Sequence, residues 1–384
     1  MNARPTLDQP KRSKASLILL ILLALLLLAV SIFLAASIPE ETVLPDRTEP
    51  LETAAVANQG FNSDAVEAQK LYPFAAGVVK LTPNRLAYLA LDGSEIFAVE
   101  IDMVSPWAVI SNERVVAADR EGTSFVVIDS EGVVYEGQRE GRIVGAAFNQ
   151  DQTLALVEDR HNSTGVVAIL DPLTSQLRYE CFFPESGYVL STQFTPDGQF
   201  FDVVLVNTDG TTIKPLLKRF ALSGEAKGQR ILNLEGLFPQ IIYDRAGQPI
   251  LCGNTQLVGL DYEQDKLRFT TSLARIDAVT GTERDPVVLA SDRLSAKLSV
   301  YSLQPDGQLT AGVEVGDQVT PLAVSQQIVA FGSGTHVLIY DVSAGKLIYD
   351  SNLAAEIVRV GFASPTTLTV VTASGVRQIA INKP

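Results

Sequence analysis

The chain has 384 residues, 46% of them hydrophobic, with a net charge of −14 and a mean hydropathy of +0.18. Residues 1–37 hold four basic side chains and one acid, +3, which leaves −17 for the remainder. So acidic a body repels phosphate backbones and anionic lipid, and nucleic-acid binding is disfavoured. The length allows one large β domain or more than one ordinary domain. Two cysteines, Cys181 and Cys252, sit in apolar runs and read as buried free thiols, since a chain of this size needs no disulfide framework.

In chain order, residues 1–14 form a basic tail. Residues 15–38 carry no charge, and fifteen of the eighteen from 17 to 34 are Leu, Ile, Val or Phe. Twenty-four helical residues span roughly 36 Å, enough to cross a hydrocarbon core of ~30 Å. Lys11, Arg12 and Lys14 precede this run, whereas Glu40, Glu41, Asp46 and Glu49 follow it. The basic flank keeps the N-terminus in the cytoplasm and sends the rest across the membrane. Ala35-Ala36-Ser37 is a small-residue site of the kind that ends signal peptides, but the apolar run exceeds their ~7–15 residues and favours an uncleaved anchor.

Residues 39–70, with Pro39, Pro45, Pro50, seven acids and two bases, read as an extended acidic linker. An Asp-capped helical turn is expected from Asp64.

From residue 71 to 384 the pattern is short apolar runs separated by Gly, Asp and Asn turns, without long helical periodicity. One turn type joins Asp, a short turn with Gly or Ser, and a strand that often carries an aromatic residue. It occurs at Asp92 leading to Phe97, Asp129 to Tyr135, Asp171 to Tyr179, Asp277 with Gly281, and Asp341 to Tyr349, with variants at Phe220–Gly224 and Ala373–Gly375. The Asp side chain bonds the turn's own backbone and Gly supplies the positive φ. A second turn follows Phe148, Phe194, Tyr243, Leu303 and Phe362. Seven turns of the first type, at intervals that mostly suit four-stranded units, predict an all-β propeller with seven blades, within a range of six to eight. The stretch 299–315 reads as an extra unit or a hairpin insert. Ring closure is expected between the last strand, near Val376–Ile381, and strands near Val78–Ile101.

The run LALDGSEIFAVEID resembles the repeat of pyrroloquinoline-quinone-type propellers, with Phe97 where those usually have Trp. FTPDGQF resembles the strand turn of WD40-like propellers. The whole plan, including Ser-Pro-Trp-Ala-Val-Ile at 105–110 and VVAADREGTSFVVID, resembles an uncharacterised clostridial family of single-pass membrane-anchored propellers. That resemblance implies fold and topology and no activity. A single Trp in the chain, Trp107, departs from the quinone pattern of one per blade, and no cofactor is expected.

Chemistry-bearing motifs are sparse. His161, in a polar turn, and His336, at a strand start, have no partner at metal-ligand spacing. Gly332-Ser-Gly334 lacks the third glycine of a dinucleotide fingerprint and leads into a strand. Ser343-Ala-Gly-Lys346 falls in a repeat turn, and Asn207-Thr-Asp209-Gly210 reads better as a hairpin turn than as a calcium loop. Trp107, Phe182 and Phe183 are the apolar side chains singled out as a contact surface. The expectation is therefore a non-catalytic, membrane-tethered extracytoplasmic module that binds a protein or an envelope polymer. The alternative is an envelope hydrolase or lyase with a loop-built site, marked by converging carboxylates or an Arg–acid–Tyr cluster.

Overall fold

The computed structural model describes residues 56, 57, 60–160, 163–184, 188–207, 213–232, 234–293, 297–310 and 312–381. The apolar run 15–38, its flank Lys11, Arg12 and Lys14, and His161 lie outside the described residues. No helix among the described residues is long and apolar enough to cross a membrane.

A two-residue strand, β1 (Val56–Ala57), comes first, followed by one helical turn, α1 (Ala65–Ala68). Asp64 caps α1 by accepting from the Glu67 amide at 2.7 Å. Blade 1 is β2–β5 (Leu71–Phe74, Gly77–Thr82, Arg85–Leu89, Glu95–Glu100) and blade 2 is β6–β9 (Pro106–Ile110, Val115–Asp119, Ser124–Ile128, Val133–Gln138). Blade 3 is β10–β13 (Arg142–Phe148, Leu154–Arg160, Ser163–Leu170, Leu177–Phe182). Blade 4 is β14–β17 (Tyr188–Phe194, Phe200–Asn207, Lys214–Ala221, Ala226–Ile231). Blade 5 is β18–β21 (Gln240–Tyr243, Pro249–Cys252, Gln256–Asp261, Lys266–Ser272), and blade 6 is β22–β25 (Arg275–Thr280, Val287–Ser291, Leu298–Ser302, Val313–Gly316). Blade 7 is β26–β29 (Ala323–Ser325, Ile328–Ser333, His336–Asp341, Lys346–Asn352). Blade 8 is β30–β32 (Ile357–Ser364, Thr367–Thr372, Gly375–Ala380), with β1 as its outer strand.

Blades 1 to 7 are four-stranded antiparallel meanders, and in blade 8 the meander β30–β32 is completed by β1 pairing antiparallel with β32. The first strands of neighbouring blades approach one another, β10 to β14, β14 to β18 and β30 to β2, and so line the centre. In such a meander the turns after the first and third strands share one face, here the turn face. The second turn and the link to the next blade share the opposite, connection face.

The blade count is eight rather than the favoured seven. Asp277 lies within β22, ion-paired to Arg275, and is no turn. Residues 299–315 belong to the outer half of blade 6, and Leu303-Gln-Pro-Asp-Gly is that blade's outer turn. Blade 5 has its own outer turn at Asp261–Lys266, where Asp265 at φ +51° takes the left-handed place usually held by Gly. Ala373–Gly375 joins the second and third strands of blade 8. Ring closure differs too. β32 pairs with β1, from the segment read as linker, and not with blade 1.

The core is divided rather than single. Eight separate clusters of buried apolar side chains each lie between two adjacent blades. A lone meander would leave both faces wet, and stacking in a ring covers each with its neighbour. The recurrent aromatic serves these seams. It sits just past a bulge in the outer hairpin, as Phe97 opposite Tyr88, Tyr135 opposite Val127, Tyr179 opposite Ile169, Phe269 opposite Gly259 and Tyr349 opposite Ile339. Tyr179 donates to the Ala221 carbonyl at 3.2 Å, in the outer turn of blade 4. A Cβ on Gly224 of that turn would lie 3.1 Å from the Tyr179 ring, and one on Gly307 in blade 6 would lie 2.5 Å from the ring of Phe269. Gly224 and Gly307 both have φ +86°, so conformation and space require glycine there.

Candidate binding surface at the seam of blades 3 and 4

The expected contact residues fall in two places. Trp107, on β6, packs into the seam between blades 2 and 3 beneath Arg120, 5.6 Å from its ring centre. Its indole N–H is buried with no acceptor among the described residues. Phe182 and Phe183 end blade 3, where β-alternation sends them apart. Phe183 is 1% exposed in the seam with blade 4, while Phe182 is 55% exposed on the connection face.

Between blades 3 and 4 lies a groove of ≈ 450 Å³ lined by Cys181, Phe182, Phe183, Lys218, Phe220 and Gln229, among others. The Lys218 ammonium lies 5.4 Å from the Phe183 ring, and burial lowers its pKa. Burial pushes the Cys181 thiol up to about 11, so it is protonated and inert at neutral pH. Cys252 is likewise free and buried.

A buried ionic network supports Phe182. Glu158, 0% exposed within the apolar run of β11, accepts from Arg139 at 2.7 Å, from Arg160 at 2.9 Å and from the Gly141 amide at 3.2 Å. Glu180 binds the same two guanidinium groups, and Arg160 reaches Glu140 at 3.0 Å. Burial would lower the Arg160 guanidinium, but the hydrogen bonds it donates to Glu180 and Glu158, and the charges of those carboxylates, raise it instead. Thus fixed, Arg160 lies 5.5 Å from the Phe182 ring centre. The exposed aromatic thus lies against a guanidinium that makes four carboxylate contacts.

An Arg–acid–Tyr cluster is present, but it lies inside the ring wall between blades 4 and 5. Asp202, 0% exposed, accepts from two Arg219 nitrogens, each at 2.7 Å, and from the Tyr243 hydroxyl at 3.0 Å. Arg219 also stacks on Tyr262 at 3.8 Å. Burial would lower the Arg219 pKa, but Asp202 raises it; burial and Asp202 together push Tyr243 well above its ordinary value. Every charge is spent on a neighbour, which makes this a buried structural pair.

The remaining candidates are structural as well. His336 Nδ1 lies 2.6 Å from Asp350, on the same blade. Gly332–Gly334 ends one strand and begins a hairpin turn, and Ser343–Lys346 is the outer turn of blade 7. The Asn207–Gly210 turn extends outside the described residues. No three His, Cys, Asp or Glu side chains among the described residues could together hold a metal ion. Sequence reading missed both ionic clusters. Their signal was an acid in or at the end of an apolar run, Asp202 alone in FFDVVLV and Glu158 beside Asp159 and Arg160 in LALVEDR.

Eight four-stranded blades arranged in this way define a β-propeller. Residues 48–381 match the family of unknown function DUF5711, and the chain belongs to that family. No curated protein matches it. Among solved structures it is similar to Sqt1 from Saccharomyces cerevisiae, at 9% identity and a TM-score of 0.62, over 86% of this chain and 100% of that one. BamB from Moraxella catarrhalis matches at 12% identity and a TM-score of 0.54, over 85% and 100% of the two chains. A streptogramin B lyase matches at 10% and 0.52, over 72% and 94%. Identities this low establish a shared fold alone.

Proposed function

We propose that this propeller is a non-catalytic binding module, tethered to the cell membrane by residues 15–38 and held on its outer side, that recognises a protein or an envelope polymer. The binding surface is the connection face of blades 3 and 4. The observation that carries this is Phe182, exposed over more than half its surface, with the Arg160 guanidinium 5.5 Å from its ring centre, beside a groove lined by Phe183, Phe220, Lys218 and Gln229. Rigid aromatic and arginine anchors concentrate interface energy because little entropy is lost in fixing them. Tyr188, 54% exposed, begins the next blade on the same face. The leucine-rich run and its charge asymmetry support the tether and its orientation.

The fold itself is neutral toward catalysis, since one neighbour is named a lyase. Against an enzymatic reading stand the two fully buried acids of these clusters, Glu158 and Asp202, each ion-paired to arginine.

The test is photo-crosslinking of the full-length protein in intact cells. A photoreactive phenylalanine analogue replaces Phe182 or, on the turn face, Leu173, which is 69% exposed. A reproducible adduct from position 182, absent from position 173, is the expected result. Equal labelling from both positions, or none from 182, overturns the assignment of this face. A membrane-impermeant biotinylation reagent tests the topology, and protection of the propeller lysines in intact cells would contradict the outward orientation.

A further inference from the structure

The outer strands of blades 1 to 5 and 7 share one plan, and blade 4 departs from it. In each, the fourth strand pairs with the third across the bulge that precedes the recurrent aromatic. The residue just before that bulge is Val133 opposite Ile128, Leu177 opposite Leu170, Leu267 opposite Leu260 and Leu347 opposite Tyr340. Residues paired directly share a face. Ile128, Leu170, Leu260 and Tyr340 all belong to the cluster shared with the preceding blade. The four aliphatic side chains therefore stand over the outer rim of that seam. In blade 4 the same place, opposite Phe220, is held by Ala226, and in blade 1, opposite Leu89, by Glu95.

The outer strand of blade 4 is small at its next position as well. Gly228 stands opposite Arg219, where the other five blades have Phe97, Tyr135, Tyr179, Phe269 and Tyr349. On that side blade 5 makes good the loss with Tyr262, since a Cβ on Gly228 would lie 3.3 Å from the Tyr262 hydroxyl oxygen. On the side of blade 3 the loss is left as the groove of ≈ 450 Å³, whose lining includes Phe182, Phe183, Phe220 and Ala226. A second groove, of ≈ 500 Å³, lies beside Glu95, in the one other blade of the six without an aliphatic side chain at this place. There Arg85 engages the carboxylate, with both oxygens at 2.8 Å. In blade 4 the lining is aromatic instead.

We propose that the partner is a protein and that it inserts a branched aliphatic side chain into the groove over Ala226, in the place that Val133, Leu177, Leu267 and Leu347 fill from within the chain in other blades. This rests on the reading of Phe182 and its surroundings as the binding surface, and it narrows the partner to one class. The space left where Leu or Val is shortened to Ala has the shape and apolarity of an aliphatic side chain. A glycan or a polyphosphate carries no such group. β17 is the outermost strand of its sheet, so an extended polypeptide laid along it presents alternate side chains to the groove. Ala226 is then the residue that sets specificity, because a longer side chain at that position closes the groove from within.

Photo-crosslinking of the full-length protein in intact cells tests this, with the phenylalanine analogue at Phe182 and, separately, at Lys227, which is exposed beside Ala226 and outside the groove lining. Position 227 should give the same adduct as position 182, and a broad-specificity protease should digest it to a small remnant. Ala226→Leu, which gives blade 4 the side chain of its neighbours, should lower the yield at both positions by about tenfold or more, while Ala226→Ser leaves it within about twofold. An adduct at 182 that is absent at 227 and indifferent to Ala226→Leu overturns the groove and leaves the face standing. An adduct at 227 that is lost with Ala226→Leu, with none at 182, removes Phe182 and keeps the groove. No adduct at either position overturns both. A protease-resistant adduct means that a polymer fills the groove, and it overturns the assignment to a protein. If Ala226→Leu does not fold, the presence or absence of the adduct at 227 in the otherwise wild-type chain decides alone.

Discussion

The seam between blades 3 and 4 and the seam between blades 8 and 1 solve one problem with different materials. The first packs Phe183, Phe194, Phe201 and Phe220, with Phe201 and Phe220 stacked at 5.3 Å and Tyr179 tilted over Phe201 at 6.2 Å. The second packs aliphatic side chains, Leu71, Val78, Leu89, Val371 and Val376 with two alanines, and has Phe61 half-buried beside them. Aromatic side chains bury large areas with few rotatable bonds, so the first seam is a firm platform for the exposed Phe182 at its rim.

The largest effect expected is that of Phe201→Ala. Phe201 is 0% exposed and contacts three other rings, so its loss should cost about 3–5 kcal/mol through lost transfer energy and an unfilled cavity. Leu71→Ala, also at a 0% exposed position but in the seam of smaller side chains, should cost about 2 kcal/mol, the low end for its class, because fewer carbon atoms are removed. Urea unfolding of the two variants decides this. If Leu71→Ala proves the more damaging, the ranking of the seams is wrong.

Why the sequence showed the ring but miscounted its blades follows from particular residues. Asp92, Asp129, Asp171 and Asp341 announce their turns because an Asp oxygen accepts from the amides that follow, as in the Asp129–Glu131 and Asp341–Ser343 bonds at 2.8 Å. The blade 5 turn hides because Asp265, not glycine, occupies its positive-φ position. Leu303-Gln-Pro-Asp-Gly misleads in the opposite way, since inner and outer hairpin turns lie on one face and share their chemistry. The closing strand is two residues in a polar segment, too short for any periodicity to reveal. Phe182 and Phe183 were legible as an aromatic pair. Which of them faces water depends on register, and the arginine beneath Phe182 depends on pairing between distant strands.

A seam of intermediate kind offers a test by pH. The link from blade 1 to blade 2 is fixed by Asp119, 4% exposed, whose carboxylate accepts from the amides of Val104 at 3.0 Å, Ser105 at 2.9 Å and Glu121 at 3.1 Å. Burial would raise this carboxyl, but the three amides outweigh it and hold it below its ordinary value. A depressed carboxyl contributes stability that is complete above its unfolded value of about 3.9 and is lost as pH falls through the folded value. Asp119→Asn should therefore cost about 1–3 kcal/mol at pH 7, and the gap from wild type should shrink at about pH 3. A gap of constant size would show that the carboxylate charge does not hold the link.

The smallest effect on stability, and the one that matters most for the binding surface, is that of Phe182→Ala. Its ring is mostly in water and lies outside the buried clusters, so truncation should change the unfolding free energy by no more than about 0.5 kcal/mol. Arg160 keeps its bonds to Glu158 and Glu180 whether or not the ring is present, so the network beneath should survive intact. Binding to the connection face should nevertheless fall by about tenfold or more, the penalty of losing a central anchor. A stability loss above about 1 kcal/mol would mean that Phe182 is a structural part of the seam and not a free contact residue.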